Sequence, residues 1–169
     1  MFRNASRFLT TTEEVYEYAL SLLDRREYGE KELVQKLKRR CSSAALIREA
    51  VEKLKGYDLL NEERYANRVF EAWRGKKVYG RLHLQAELLK KQVDERYIPV
   101  VLNMLTEEEE SRRVEEAYLQ IAKRHDKKYD CSTEKGVAAL VRYFAARGFG
   151  PSMIRIGLSK AKADMDAHG

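Results

Sequence analysis

Apolar residues recur along this chain at the helical period, and no run shows the alternation of β-branched and polar residues that strands require. Val15, Tyr18, Ala19 and Leu22 follow the i, i+3, i+4, i+7 rule, with Thr11 and Glu14 ahead of them in capping-box register. Leu33, Val34 and Leu37 mark a short second helix after Tyr28-Gly29. Ser43 is placed to cap a third helix carrying Ile47, Ala50, Val51 and Leu54, which Gly56 is expected to stop. Asn61 then reads as the cap of a fourth, with Glu62 and Glu63 in a first turn that favours negative charge and with Ala66, Val69, Phe70 and Trp73 on one face. After the basic loop GKKVYG come Leu84, Leu88 and Leu89, then Ile98, Val101, Leu102 and Leu105, where Pro99 is tolerated only in a first turn. Thr106 and Glu109 offer a second capping box ahead of Val114, Ala117, Tyr118 and Ile121. Beyond the polar link HDKKYDCST, Val137, Leu140, Val141 and Phe144 mark an eighth helix. Ile154, Gly157, Leu158 and Ala161 mark a ninth, with Pro151 suited to its first position. The fold class is all-α.

The pattern repeats. An offset of 51 places Tyr28-Gly29 on Tyr79-Gly80, Leu33 on Leu84, Leu37 on Leu88, and Ile47, Ala50, Val51 and Leu54 on Ile98, Val101, Leu102 and Leu105. An offset of 107 places Leu33, Val34 and Leu37 on Leu140, Val141 and Phe144, and Ile47, Val51 and Leu54 on Ile154, Leu158 and Ala161. Neither register needs a gap, which argues for three tandem copies of a three-helix unit. The expected organisation is a tail over residues 1–12 and repeats over 13–56, 57–105 and 106–165. Units of this size bury small cores and lean on their neighbours, so an elongated, curved array is expected, with Gly56–Trp73 fixing the junction of the first two units.

Composition agrees with a folded helical chain: 169 residues, 44% hydrophobic, with nine Gly and two Pro. Thirty-three Lys and Arg against 27 acidic residues give a net charge of +6, a bias that suits polyanions or an acidic protein surface. No apolar stretch approaches the roughly 20 residues of a membrane span, and MFRNASRFLTTT lacks the apolar centre of a secretory signal, so a cytoplasmic location without membrane attachment is expected. Cys41 and Cys131 have no metal-ligand spacing around them and are best read as free thiols in a reducing compartment.

No catalytic constellation can be assembled. His83, His125 and His168 are isolated, and no H-E-x-x-H, phosphate-loop or G-x-S-x-G motif occurs. His83, between Leu82 and Leu84, reads as a helix-surface histidine, and Cys41 has no histidine partner near it in sequence. The chain therefore reads as a binder that needs no cofactor or metal. Its basic residues are grouped: five in residues 31–40 against one glutamate, six in 74–91 against one, and six from Lys135 to Lys162 with no acidic residue. Charged helix faces are commonly mere solvated surface, but three clusters at equivalent places in three repeats suggest a discontinuous basic strip able to follow phosphates or an acidic groove. The acidic run Glu107–Glu110 fits a solvated helix start. Phe70 and Trp73 share an apolar face and, with Tyr65, are expected in the core rather than on a base-stacking platform. Tyr28 and Tyr79, beside glycines in basic loops, are the better candidates for contact with a partner.

Three motifs taken together, R-R-x-Y-G-x-x-E-L-x-x-K-L (Arg25–Leu37), L-L-N-E-E-R-Y-A (Leu59–Ala66) and G-K-K-V-Y-G-R-x-x-L-x-x-E-L (Gly75–Leu88), resemble the RecX family of regulators of the RecA recombinase. The resemblance covers Val15 to Ala163 and includes the turn Arg147-Gly148-Phe149. Asn61 and Glu62 stand where that family usually has two aspartates. The resemblance implies a modulator, expected as a monomer, that lies in the groove of the RecA filament on single-stranded DNA and hinders strand exchange, ATP hydrolysis, coprotease action or filament growth. From charge alone, Arg39, Arg40, Lys76, Lys77, Arg81, Lys90, Lys91, Arg142, Arg147 and Arg155 are the candidate contacts to RecA or DNA. The alternative is a basic helical array that binds DNA without RecA.

Overall fold

The structure is a computed structural model that describes residues 8–168, the side chain of His168 excepted. Most of the N-terminal stretch considered for a targeting signal therefore lies outside the described residues, as does the His168 imidazole. Among the described residues there are nine α-helices and no strand: α1 Thr12–Leu23, α2 Glu30–Lys38, α3 Ala44–Gly56, α4 Glu62–Arg74, α5 Arg81–Lys90, α6 Ile98–Met104, α7 Glu107–Ala122, α8 Glu134–Ala145 and α9 Pro151–His168. A 3₁₀ turn at Lys127–Tyr129 lies within the polar link.

Short polar side chains start five of these helices, four of them at the expected residues Thr11, Ser43, Asn61 and Thr106 and the fifth at Thr133. Thr11, Ser43, Thr106 and Thr133 each accept the N–H three residues on, and the Asn61 carboxamide accepts that of Arg64 at 2.9 Å, satisfying donors that a helix start leaves over. The two capping boxes are only half formed. Glu14 takes the Thr10 N–H, and Glu109 turns to arginines instead of to the Thr106 backbone. The stop before Asn61 also differs from expectation: α3 runs through Gly56, and the left-handed residue is Asp58, at φ 54°. Aspartate tolerates that region because its short side chain bonds locally, here as acceptor for the Asn61 amide at 2.9 Å.

The repeat is legible in burial as well as in sequence. Leu33, Leu84 and Leu140 are fully buried at equivalent positions of α2, α5 and α8, and so are Leu37, Leu88 and Phe144 one turn on. The first helices obey the same rule: Val15, Ala66 and Val114 form one buried tier, Ala19, Phe70 and Tyr118 a second, and Leu22, Trp73 and Ile121 a third. Phe70, Trp73 and Tyr65 are thus core residues, as expected.

The described chain divides into two compact units, one reaching to Val69 and including Leu89–Ile98, the other made of Phe70–Leu88 and the residues from Pro99 onward. Helices α4 and α5 are each shared between them. In the first unit α3 packs on α1 and α2 around Val15, Ala19, Leu33, Leu37, Val51 and Leu54. In the second, α9 packs on α7 and α8 around Val114, Tyr118, Leu140, Phe144 and Ile154. Phe144 meets Phe149 edge-on there, centroids 5.6 Å apart, a geometry that aligns ring edge with ring face.

Candidate functional site

Three of the ten candidate cations meet in one place. In the first unit, Arg39 just past the end of α2 joins Lys90 and Lys91 from the end of α5 and its following turn around a cavity of about 550 Å³, which Arg26, Glu32, Gln35, Lys36 and Gln92 complete. Glu32 is the single acid in this lining, and the Arg26 guanidinium donates to both of its carboxylate oxygens, at 2.5 and 3.2 Å. That pair cancels. Lys36, Arg39, Lys90 and Lys91 have no ion-pair partner among the described residues, so the cavity carries four uncompensated positive charges. Lys36 and Arg26 stood outside the ten candidates, because only folding brings the start and middle of one repeat against the turn of the next.

The walls of this cavity are held by Glu62 and Tyr65, both on α4. One Glu62 oxygen accepts the N–H of Glu30, the first residue of α2, and the other accepts the N–H of Asp94, each at 2.9 Å. A carboxylate at the start of α2 also suits the positive end of that helix. Asp94 in turn accepts from Arg96, first through the guanidinium and then through the backbone N–H, which holds its carboxyl down to about 2. The Tyr65 ring lies against Gly29, where an added Cβ would come within 2.7 Å of it, and its hydroxyl donates to the Lys91 carbonyl at 3.1 Å. Burial pushes that phenol up. Tyr28, expected at a partner surface, is instead buried with the Arg26 guanidinium 3.7 Å from its ring centre. Arg40 also faces inward, 5.0 Å from the ring of Tyr18.

In the second unit several candidates are occupied within the chain. The Arg81 guanidinium donates to the carbonyls of Leu102 and Leu105 at the end of α6, where a cation meets the negative end of a helix. Its own N–H donates to Glu110, which is buried and not solvated as its place in an acidic run suggests. Arg147 lies 3.6 Å from the centre of the Tyr143 ring and donates to the Tyr143 carbonyl. Lys76 stands 3.7 Å from Glu87. Lys77 and Arg142 are exposed, and Arg155 is exposed on α9 at the rim of an apolar groove that Val137, Val141, Ile154 and Leu158 line.

Charge alone did not single out Arg113. It is buried, donates to the carbonyls of Arg74 and Lys76 and to Glu109, and covers Trp73 with its guanidinium 4.7 Å from the ring. Burial opposes ionisation of Glu109, yet Arg74 and Arg113 together keep that carboxyl below its usual range. His83 is not a simple surface residue either. Its Nδ1 accepts the Trp73 indole N–H at 3.0 Å, and its ring stacks on Tyr79 with centroids 3.9 Å apart. Both cysteines are free thiols, Cys41 buried against the Ser43 carbonyl. Among the described residues no group of three or more His, Cys, Asp or Glu could hold a metal ion, and no helix is long and apolar enough to cross a membrane.

Comparison with known proteins points in one direction. Residues 16–54 match the family model described as RecX, first three-helix domain. A regulatory protein RecX from Caldanaerobacter subterraneus is 33% identical over 136 residues, covering 80% of this chain and 64% of the relative. One from Chlorobium phaeobacteroides is 31% identical over 94 residues, 56% of this chain and 62% of the relative, so the chain spans somewhat less than two thirds of these two proteins. The RecX of Pseudomonas entomophila is 32% identical over 149 residues, covering 88% of this chain and 92% of the relative. Among solved structures, RecX from Lactobacillus salivarius superposes with a TM-score of 0.81 at 20% identity, covering 90% and 97% of the two chains. A second RecX structure gives 0.74 at 18%, covering 88% and 73%. These two likenesses concern the fold.

Proposed function

The chain belongs to the RecX family of regulatory proteins, and from that premise we propose that it binds the RecA filament on single-stranded DNA and restrains its ATPase, strand-exchange and coprotease activities in DNA repair and the SOS response. The observation that carries this reading is the relative 32% identical to the chain over 92% of its own length. The structure adds one support. Uncompensated cations stand in both compact units, with Arg39, Lys90 and Lys91 around the cavity of the first and Lys77, Arg142 and Arg155 exposed in the second. Separate weak contacts of this kind add through effective concentration when the partner is itself a repeating filament. The proposed action needs no cofactor, takes place in the cytoplasm and is that of a binder, not an enzyme.

The test is RecA's single-strand-dependent ATPase with the protein titrated in at two salt concentrations. Inhibition at amounts well below RecA, weakened by salt, is expected. No change at saturating protein, with DNA binding intact, would replace this reading with an autonomous DNA-binding array.

A further inference from the structure

The two places where a second helix meets the following repeat's turn are built alike but end differently. Gln92 and Gly148 occupy equivalent positions after α5 and α8, and both take positive φ, 56° and 81°. In the second unit the turn closes directly onto the start of α5. The N–H groups of Gly80 and Leu82 donate to the carbonyls of Arg147 and Gly148, each at 3.0 Å, and a Cβ on Gly80 would lie 2.6 Å from the Gly148 oxygen. In the first unit the Tyr65 ring stands between the start of α2 and the turn, touching Gly29 on one side and holding the Lys91 carbonyl on the other. The ring is a spacer. The 550 Å³ cavity of this junction is lined by α2 and its flanking residues on one side and by the end of α5 and its following turn on the other.

Its lining decides what it can hold. The volume falls in the range of small-ligand pockets, but those are mostly apolar, whereas Lys36, Arg39, Lys90 and Lys91 present four unpaired positive charges, with the Gln35 and Gln92 amides between them. Among the described residues no aromatic ring lines it, so none of them stacks on a base there. We propose that this cavity is a phosphate-backbone site: it seats adjacent phosphates of a single nucleic-acid strand, reads no base, and leaves the bases facing outward. The proposal rests on the reading of the chain as a regulator acting on DNA-bound RecA, and it assigns to one place the strand contact that this reading leaves unlocated. Lys36 and Lys90 serve as point charges and Arg39 as a forked donor to phosphate oxygens. The Tyr65–Lys91 hydrogen bond fixes the turn that carries Lys90 and Lys91.

The experiment uses the whole chain and labelled 20-mers, without RecA, followed by fluorescence anisotropy over a salt series. Each phosphate contact on a single strand contributes a slope of about −0.7 in log K against log salt. Lys90→Ala with Lys91→Ala should make the slope shallower by about 1.4, and Lys90→Arg with Lys91→Arg should restore it. Arg48→Ala with Lys123→Ala, the same charge change on exposed positions outside the cavity, should leave it unchanged. Oligo-dT and a mixed sequence should bind alike, and ATP should compete at least tenfold less well than the strand. An unchanged slope in the Lys90/Lys91 variant, or an equal loss in the Arg48/Lys123 control, overturns the site. Displacement by ATP at equal phosphate concentration overturns the strand as its ligand and makes it a free-nucleotide pocket. Because RecA is absent, failure here leaves inhibition of its ATPase standing, and failure of that inhibition leaves this measurement intact.

Discussion

Glu110 and Arg81 are tied twice: the Glu110 carboxylate accepts the Arg81 N–H at 2.8 Å and lies 3.6 Å from the same residue's guanidinium. Glu62 bonds in the same way to Glu30, since Glu30 opens α2 as Arg81 opens α5. In both cases the first helix of one repeat supplies the carboxylate that caps the second helix of the repeat before it.

A hydrogen bond to a charged group contributes about 1.5–3 kcal/mol. Glu110→Ala and Glu62→Ala should each lower stability by about that much in chemical denaturation. The glutamine variants, which keep an acceptor, should lose less, and Glu107→Ala, at an exposed position, should stay within about 0.5 kcal/mol of wild type. If Glu62→Ala unfolds no more easily than Glu107→Ala, the capping role is wrong.

Gly148 and Gly56 should respond to alanine in opposite directions. At Gly148 φ is 81° and a Cβ would sit 2.4 Å from the His83 nitrogen, so the left-handed penalty of about 1–2 kcal/mol is joined by a collision with backbone. Gly56 is helical with nothing within 4 Å, and alanine there should stabilise by about 0.5 kcal/mol through the unfolded chain. Paired melting curves settle both signs.

Trp73 is the chain's single tryptophan, so its fluorescence reports on the His83 contact. His83→Ala leaves a buried indole N–H without its acceptor, which should cost about 1–3 kcal/mol and shift the emission of the folded protein. An unaltered spectrum and urea midpoint would show that solvent or another group takes over the bond.

How much of this was visible in the residue order depends on what each feature rests on. The tiers at Leu33, Leu84 and Leu140 follow from the helical period and one offset, because a buried stripe must repeat if its neighbours do. Gly136 is the third member of the series Gly29 and Gly80, at the same offsets of 51 and 107, and a Cβ there would lie 1.9 Å from the Asp130 oxygen. The sequence hides this member of the series, because Lys135 stands where the other two repeats have tyrosine. The charged residues were harder. Arg81 and Arg113 look like surface cations in sequence, but each guanidinium meets backbone carbonyls whose position depends on tertiary packing, and the capping roles of Glu62 and Glu110 depend on it too.

Asp94 contributes to the expected acid response of the first unit, beside Asp58, which the Asn61 amide and Arg64 also hold below the usual range. The folded-state carboxyl of Asp94 is held at about 2 against an ordinary 3.8, so the charged form stabilises the turn fully above the unfolded value. That contribution is lost as pH falls from about 4 through 2. Asp94→Asn should therefore flatten the pH dependence of stability in this window while changing little at pH 7 beyond a constant offset. A carboxyl resonance titrating near 4 in the folded protein would contradict it.

The cations should separate into two classes when substituted one at a time, and the separation tests the reading of the surface against the reading of the core. Lys77, Arg142 and Arg155 are exposed, and removal of exposed charge is worth within about 0.5 kcal/mol. Their alanine variants should keep the melting temperature to within about 2 °C, at 2–4 °C per kcal/mol for a chain of this size, while raising the amount of protein needed to inhibit RecA's ATPase. Arg113 is buried between two carbonyls, Glu109 and the Trp73 face, so Arg113→Ala leaves the Arg74 and Lys76 carbonyls without their donor and uncovers the indole, while Glu109 keeps Arg74, and should cost about 1–3 kcal/mol. Any inhibition that variant loses should return at a temperature where it is folded. If instead Lys77→Ala or Arg155→Ala melts early and Arg113→Ala does not, these side chains hold the fold, and the regulatory surface must be sought among residues that carry no charge.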